Sequence, residues 1–232
     1  MSARADHIYD RILGAILEQA LPPGTKLGEE QLCEIFGVGR GVIRRVLFRL
    51  AGDHVVELVP HRGAFVAEPS VEQAREVFAA RRVLEAEVVR AIERAGLQRD
   101  QIARLRRHLA LEHTAHGQGD RGAVIRLSGA LHLLLAELAG NRVIHRFLRE
   151  LVARTSLIIA IYEASAVACC PYDEHAALIE AIIDGRGQPA MQSHLEGLET
   201  RLRLDRAPPA PVDLRQVLAA PAPPIRVAVA AR

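Results

Sequence analysis

Aromatic side chains are scarce in this sequence, which has no tryptophan, three tyrosines and five phenylalanines among 232 residues. Half of the residues are nevertheless hydrophobic, so the core has to be built from Leu, Ile, Val and Ala. Such a core favours packed helices over a sheet-rich sandwich. The shortage of rings also argues against a surface that binds single-stranded nucleic acid by stacking bases on aromatic side chains.

Cysteine is equally scarce, and the residues present are Cys33, Cys169 and Cys170. An odd number with two neighbours in sequence fits neither a disulfide framework nor a CxxC zinc knuckle, and we expect a reducing, cytoplasmic environment. The first ten residues lack the apolar segment of a signal peptide. A glutamate and a proline interrupt the longest apolar stretch, residues 155–172, so we expect a soluble protein without a membrane span.

Neither sign of charge dominates, because 30 basic and 28 acidic side chains leave a net charge of only +2. Affinity for nucleic acid would therefore depend on a local basic patch. One such patch lies between residues 40 and 62, where five arginines occur with only two acidic residues. The arginines are Arg40, Arg44, Arg45, Arg49 and Arg62.

Residues 1–69 have the pattern of a winged helix-turn-helix domain. Apolar side chains that recur with the period of a helix predict helices over residues 7–20, 29–36 and 41–51. A glycine-containing turn joins the second of these helices to the third. Apolar and polar residues then alternate, which predicts two strands over residues 55–59 and 64–66. A hairpin that directly follows a recognition helix is a wing.

The rest of the chain is predicted to be helical and then flexible. Residues 70–206 are expected to form an all-helical bundle, with helices over residues 71–95, 100–116, 122–139, 142–164, 172–184 and 189–204. Residues 207–232 contain six of the twelve prolines, too many for a packed element, and are predicted to be a flexible extension. The fold class is thus mainly α, with an N-terminal winged helix-turn-helix followed by an all-α effector domain.

Two segments resemble the winged helix of the GntR superfamily of bacterial transcription regulators. They are residues 27–50, LGEEQLCEIFGVGRGVIRRVLFRL, and residues 60–66, PHRGAFV. The resemblance implies that the arginines bind phosphates and bases of double-stranded operator DNA, while the wing-tip glycine lets the backbone approach the minor groove. The expected DNA-binding residues are Arg40, Arg44, Arg45, Arg49, His61, Arg62 and Gly63. Taken without the resemblance, an arginine-rich helix is also compatible with a solvated surface.

Three positions depart from the pattern of that family. Gly39 stands where a serine usually caps the recognition helix, Gly41-Val42 replaces Thr-Pro, and Arg45 replaces a glutamate. Glycine is a tolerable helix cap, and the additional arginine strengthens the attraction to phosphate. We therefore expect an operator sequence that differs from those of close relatives, with DNA binding itself retained.

Three of the ten histidines lie among apolar residues of separate predicted helices, namely His132, His175 and His194. Imidazoles that converge in the interior of a helical bundle are a common way to hold Zn²⁺ or a similar divalent ion. The residues alone also allow three ordinary core histidines with satisfied hydrogen bonds.

The helical half also resembles a known domain, the ligand-binding FCD domain of the FadR branch. The resemblance lies in residues 81–85, 127–141 and 174–185, with His194-Leu195 beyond them. It implies that the three histidines bind a divalent metal, with zinc expected, and that Ser128 occupies the position of a fourth, aspartate ligand. It also implies that a small carboxylate effector contacts Arg81, Ser128 and Arg154.

These observations lead to one expected function and two alternatives. We expect a homodimeric DNA-binding transcriptional regulator, a repressor, whose helical domain senses a small carboxylate metabolite through the bound metal. One alternative is a hydrolase-like metal-dependent enzyme that uses the three histidines, and another is a helical interaction module. No HExxH motif is present, and Glu174 is the only adjacent candidate for a general base, so we do not expect an enzyme.

Overall fold

The computed structural model describes residues 3–162, 172–202 and 212–218. These residues are mostly helical with one small sheet, which confirms the predicted fold class. The first part contains α1 (Ala3–Leu17), β1 (Lys26–Leu27), α2 (Glu29–Phe36), α3 (Arg40–Gly52), β2 (Val56–Val59) and β3 (Gly63–Val66). The second part contains α4 (Val71–Ala95), α5 (Arg99–Gln118), α6 (Arg121–Leu138), α7 (Arg142–Tyr162), α8 (Tyr172–Ile183), α9 (Gly187–Thr200) and α10 (Leu214–Leu218). Cys169 and Cys170 lie outside the described residues.

The N-terminal helices and the sheet form the predicted winged helix. Helices α1, α2 and α3 bury an apolar face against one another, with Leu32 and Leu50 fully enclosed. Gly37 ends α2 in the left-handed conformation, at a φ of 59°, which glycine adopts without the steric cost of a Cβ. The wing is the antiparallel pair β2–β3. Strand β1 was not predicted, because two residues are too few for a strand pattern; it pairs with β3 and makes the order β1-β3-β2.

Helices α4 to α9 form the effector domain around a separate apolar core. The longest, α4, begins at a capping box in which Ser70 and Gln73 satisfy each other's backbone N–H groups, and it packs against α6, α7, α8 and α9. Its two ends coincide with the prediction from helical periodicity. None of the helices in the described ranges is long and apolar enough to cross a membrane.

Helix α7 belongs to both cores. Leu157 is buried in the apolar cluster of the winged helix, whereas its neighbour Ile158 is buried in that of the effector domain. Helix α1 of the winged helix also packs against α6 and α7. The two domains are therefore in direct contact through α7.

Part of the predicted flexible extension is helical and packed. Leu214 and Leu218 of α10 are each 3% exposed and belong to the core of the winged helix. The Arg11 guanidinium donates a hydrogen bond of 2.7 Å to the carbonyl of Leu218, and Arg215 pairs with Glu34 of α2. For these five residues the prediction of a flexible tail was wrong. The segment lies between two groups of prolines, and its two leucines, four residues apart, bury enough apolar surface to hold it against the winged helix.

We predict that Leu218→Ala destabilises the winged helix by about 2–5 kcal/mol, the usual cost of truncating a buried leucine. Chemical denaturation followed by circular dichroism measures the loss. Arg215→Ala is the control, because an exposed ion pair contributes at most about 1 kcal/mol. Equal stability of Leu218→Ala and the wild type would show that α10 does not contribute to the fold.

Candidate metal centre and nucleic-acid interface

The three predicted histidines come together in the interior of the effector domain. His132 of α6, His175 of α8 and His194 of α9 are 1%, 1% and 7% exposed. Their ring centroids are 4.9 to 5.8 Å apart, and one ligand atom from each lies within 4.8 Å of the others. Each occupies the buried stripe of its helix, so the same amphipathic packing that forms the bundle also brings the imidazoles together.

A carboxylate faces the Nδ1 atom of every one of these rings. Glu85 of α4 lies 2.5 Å from Nδ1 of His132, and Glu112 of α5 lies 2.8 Å from Nδ1 of His175. The third carboxylate, Glu174, lies 3.4 Å from Nδ1 of His194 and also binds Arg201 at 2.8 Å. The sequence analysis did not assign a role in the site to Glu85 or Glu112. Both nevertheless occupy positions in the apolar stripe of their helix, where a charged residue is unexpected.

The charges of the cluster are set by burial and by these pairs. Burial alone would raise the pKa of Glu85, but the Arg81 guanidinium and the His132 ring outweigh it and hold the pKa at about 2. Burial lowers the pKa of His132 to about 4, although the Glu85 carboxylate opposes this. At neutral pH the glutamate is therefore ionised and the imidazole is neutral, which is the form that binds metals.

The other two carboxylates are ionised as well. Burial would raise the pKa of Glu112, but the neighbouring His108 and His175 rings hold it at about 2. The nearby His194 ring and the Arg201 guanidinium lower the pKa of Glu174 to about 2.

The residues present fit a divalent metal. A carboxylate only accepts hydrogen bonds, so the Nδ1 atom that faces it carries the proton and Nε2 keeps its lone pair. The Nε2 atom of His132 and both ring nitrogens of His194 are buried without a hydrogen-bond partner among the described residues. Such unsatisfied atoms are costly, and a metal ion would satisfy them.

The residues predicted to bind the effector do not all lie together. Ser128 is buried one helical turn before His132, and Arg81 is buried against Glu85, with an Nε–Oε1 distance of 2.6 Å. Arg154 instead lies at the contact between the domains, 3.0 Å from Glu150 and 3.2 Å from Nδ1 of His54. Arg154 therefore lies next to the residue that follows the end of the recognition helix. These contacts give no support to a role in the effector site.

Four of the five predicted DNA-binding arginines occupy exposed positions of α3, but their surroundings differ. Arg40 and Arg44 form ion pairs of 2.6 and 2.9 Å with Glu30 and Glu29 of α2. Arg45 is exposed next to them.

Arg49 turns toward α1, where its guanidinium lies 3.8 Å from the centre of the Tyr9 ring and 2.7 Å from Asp6. These contacts give Arg49 a structural role in joining α1 to α3. Phe48, which sequence reasoning missed, is 65% exposed next to these arginines.

The wing tip has the backbone geometry of a tight reversal. His61 and Gly63 both have positive φ angles, of 61° and 107°, and both are exposed. The Arg62 guanidinium lies 5.4 Å from the centre of the Phe65 ring. The tip therefore presents a histidine, an arginine and open backbone beyond β2 and β3.

Comparison with protein families identifies the class of both domains. Residues 4–66 match the family described as bacterial regulatory proteins, gntR family, and residues 76–199 match the FCD domain. The chain therefore belongs to the GntR family of bacterial regulatory proteins, among the members that carry an FCD domain. This is a family of transcription regulators, and the comparisons do not support the alternative of a metal-dependent enzyme.

Individual relatives agree with this assignment. The chain is 26% identical over 132 residues to the HTH-type transcriptional repressor RspR of Escherichia coli K12 and to the HTH-type transcriptional regulator YdfH of Shigella flexneri. Each match spans 57% of this chain and 58% of the relative, so less than two thirds of either relative is covered.

Two solved structures share the fold. E. coli McbR/YncC has a TM-score of 0.66 at 20% identity, covering 86% of this chain and 95% of that chain. A GntR structure from Rhodococcus sp. RHA1 has a TM-score of 0.70 at 22% identity, covering 95% and 100%.

Proposed function

We propose that the protein is a homodimeric transcriptional repressor that binds operator DNA through its winged helices and senses a small carboxylate through a Zn²⁺ ion held by three histidines. The observation that carries the proposal is the buried histidine cluster in a chain that also has an arginine-rich helix-turn-helix. A bacterial regulator of this kind acts on the chromosome, in the cytoplasm.

The exposed face of α3 supports DNA binding. Arg44 and Arg45 project from this face and carry the long, forked cations that read guanine edges and bind phosphates. The ion pairs of Arg40 and Arg44 with α2 lie at the surface, where such pairs contribute little. DNA phosphates can therefore replace the two glutamates at small cost.

The histidine cluster supports metal binding with an open coordination position. Three imidazoles hold zinc in sites where the fourth ligand is water or a bound molecule. Ser128 supplies no negative charge, so a carboxylate effector can complete the coordination shell as an anionic ligand. Arg81, whose Nη2 atom is buried without a hydrogen-bond partner among the described residues, adds a cation beside the cluster and favours an anion.

An exposed apolar surface on α4 and α7 supports the dimer. Val83, Val143 and Phe147 are 72%, 56% and 51% exposed, and the two helices that carry them pack side by side. Large exposed hydrophobic side chains mark interaction surfaces when they occur together. A second copy of this chain is the occupant that fits, because paired winged helices are needed to bind two operator half-sites.

For DNA binding, we predict that Arg44→Ala costs about 1–3 kcal/mol if the arginine reads a base, and that Arg45→Ala reduces the salt slope by about one if it contacts a phosphate. The measurement is fluorescence anisotropy with a duplex selected from a random library, repeated at several salt concentrations. Arg107→Ala, an exposed arginine on α5, is the control. Unchanged affinity and salt slope in the Arg44→Ala, Arg45→Ala double variant would contradict the assignment.

For the metal, we predict that wild-type apo protein binds Zn²⁺ and that His175→Ala binds it more weakly. Ser128→Asp should bind Zn²⁺ more tightly, because it places an anionic oxygen one turn from His132, and should bind an anionic effector less well. Calorimetric titration measures all three, with His116→Ala as the control on α5. If none of these proteins binds Zn²⁺, or all bind it equally, the three histidines are packing residues and do not form a metal site.

For the dimer, we predict that light scattering gives twice the chain mass of 25.4 kDa for the wild type and a single chain for Phe147→Glu. The charge would be buried without a partner in the interface, which is costly. Leu111→Glu, which changes an exposed leucine of α5, should remain dimeric. A monomeric wild type, or a dimeric Phe147→Glu variant, would show that this surface is not the interface.

A further inference from the structure

We propose that Glu85, Glu112 and Glu174 are positioning residues of the metal centre. Glu85 and Glu112 each accept the Nδ1 proton of one histidine, fix its tautomer and direct Nε2 toward the ion. Glu174 lies 3.4 Å from Nδ1 of His194 and takes the same role when the ring moves onto the ion. The inference rests on the proposed function, since it assumes that the three histidines bind a metal. It assigns a role to three carboxylates, two of them buried, that are not themselves expected to be ligands.

The burial of these carboxylates is otherwise unexplained. Glu85 and Glu112 are 1% and 2% exposed in apolar stripes where a leucine would pack without desolvation cost. A buried carboxylate is destabilising unless hydrogen bonds and opposite charges compensate for the lost hydration. Both carboxylates direct one oxygen at a histidine of the cluster, at 2.5 and 2.8 Å, so their placement is linked to these rings.

The three pairs come from different helices but have the same chemistry. The pairs join α4 to α6, α5 to α8, and α8 to α9, and in every case the carboxylate lies nearest to Nδ1. A carboxylate on the second nitrogen of a metal-binding histidine fixes the orientation of the ring and makes it a stronger ligand. Two such hydrogen bonds and a third, longer contact of 3.4 Å around one cluster are difficult to attribute to packing alone.

Negative charge is the second contribution of these residues. With Ser128 near His132 the cluster offers only neutral ligands, so a divalent cation would be buried without an anionic ligand. Glu85 shares its charge with Arg81, and Glu174 shares its charge with Arg201. Within the described contacts, Glu112 meets only histidines, with His175 on one oxygen and His108 3.3 Å from the other. Glu112 therefore offers the most direct compensation for the charge of the ion.

The test compares Glu112→Ala and Glu112→Gln with the wild type. Glutamine keeps an oxygen that accepts the Nδ1 proton but loses the charge, whereas alanine loses both. We expect Zn²⁺ affinity to fall by about 10- to 100-fold in Glu112→Ala and by less in Glu112→Gln. Glu180→Gln, an exposed glutamate on the same helix as His175, is the matched control and should bind Zn²⁺ like the wild type.

A metal-free readout separates positioning from simple packing. Long-range proton–nitrogen spectra of apo protein report the tautomer of each histidine, and we expect the Nδ1–H form for His175 in the wild type and its loss in Glu112→Ala. If alanine unfolds the chain, Glu112→Gln and the part-exposed Glu174→Gln carry the comparison.

The possible failures are distinguishable. Two results would overturn this inference but not the metal site. One is that the wild type and the glutamate variants bind Zn²⁺ with equal affinity, and the other is that His175 of the wild type is in the Nε2–H form. A wild type that binds no Zn²⁺ would overturn both.

Discussion

Buried histidines can occupy the apolar interior of this protein only because a carboxylate faces the Nδ1 atom of each. An unpaired imidazole or carboxylate at this depth would cost more than its packing contributes. Two of the carboxylates are in turn paired with arginines, because Glu85 forms an ion pair with Arg81 and Glu174 forms one with Arg201. The network joins five helices, α4, α5, α6, α8 and α9, at one point. The packing of the effector domain and its chemistry therefore depend on the same set of contacts.

Helix α7 connects this network to the DNA-binding domain. Gly129 of α6 lies so close to α7 that a Cβ there would be 2.8 Å from a methyl group of Val152, so α6, which carries His132, cannot shift without moving α7. Further along α7, Leu157 lies in the core of the winged helix. Glu150 and Arg154 hold His54, which follows the end of α3, at 3.1 and 3.2 Å. A change at the histidines thus has a continuous path of packed contacts to the recognition helix.

The sequence was sufficient where one strong period governs the structure. Helical periodicity predicted α4 to the residue and placed the three histidines on inward faces, so their convergence followed from packing. The sequence was insufficient where tertiary contacts bury a residue type that is normally exposed, or pack a segment that is normally flexible. Glu112 was overlooked because a glutamate is normally solvated. Helix α10 was overlooked because the many prolines around Leu214 and Leu218 favoured the prediction of a flexible segment. The role of Arg154 in the effector site was predicted from the family resemblance alone, and its contact with His54, 100 residues away, is a pairing that no local pattern reveals.

We expect the histidine cluster and the recognition helix to respond together when a metal ion binds. Hydrogen–deuterium exchange of wild-type protein, with and without saturating Zn²⁺, tests it most directly, because each helix reports separately. We predict slower exchange in α6, α8 and α9, together with altered exchange in α7 and at the end of α3 near His54. Protection confined to α6, α8 and α9, with α7 and α3 unchanged, would contradict the claim, because the ion would then be bound without any effect on the DNA-binding domain.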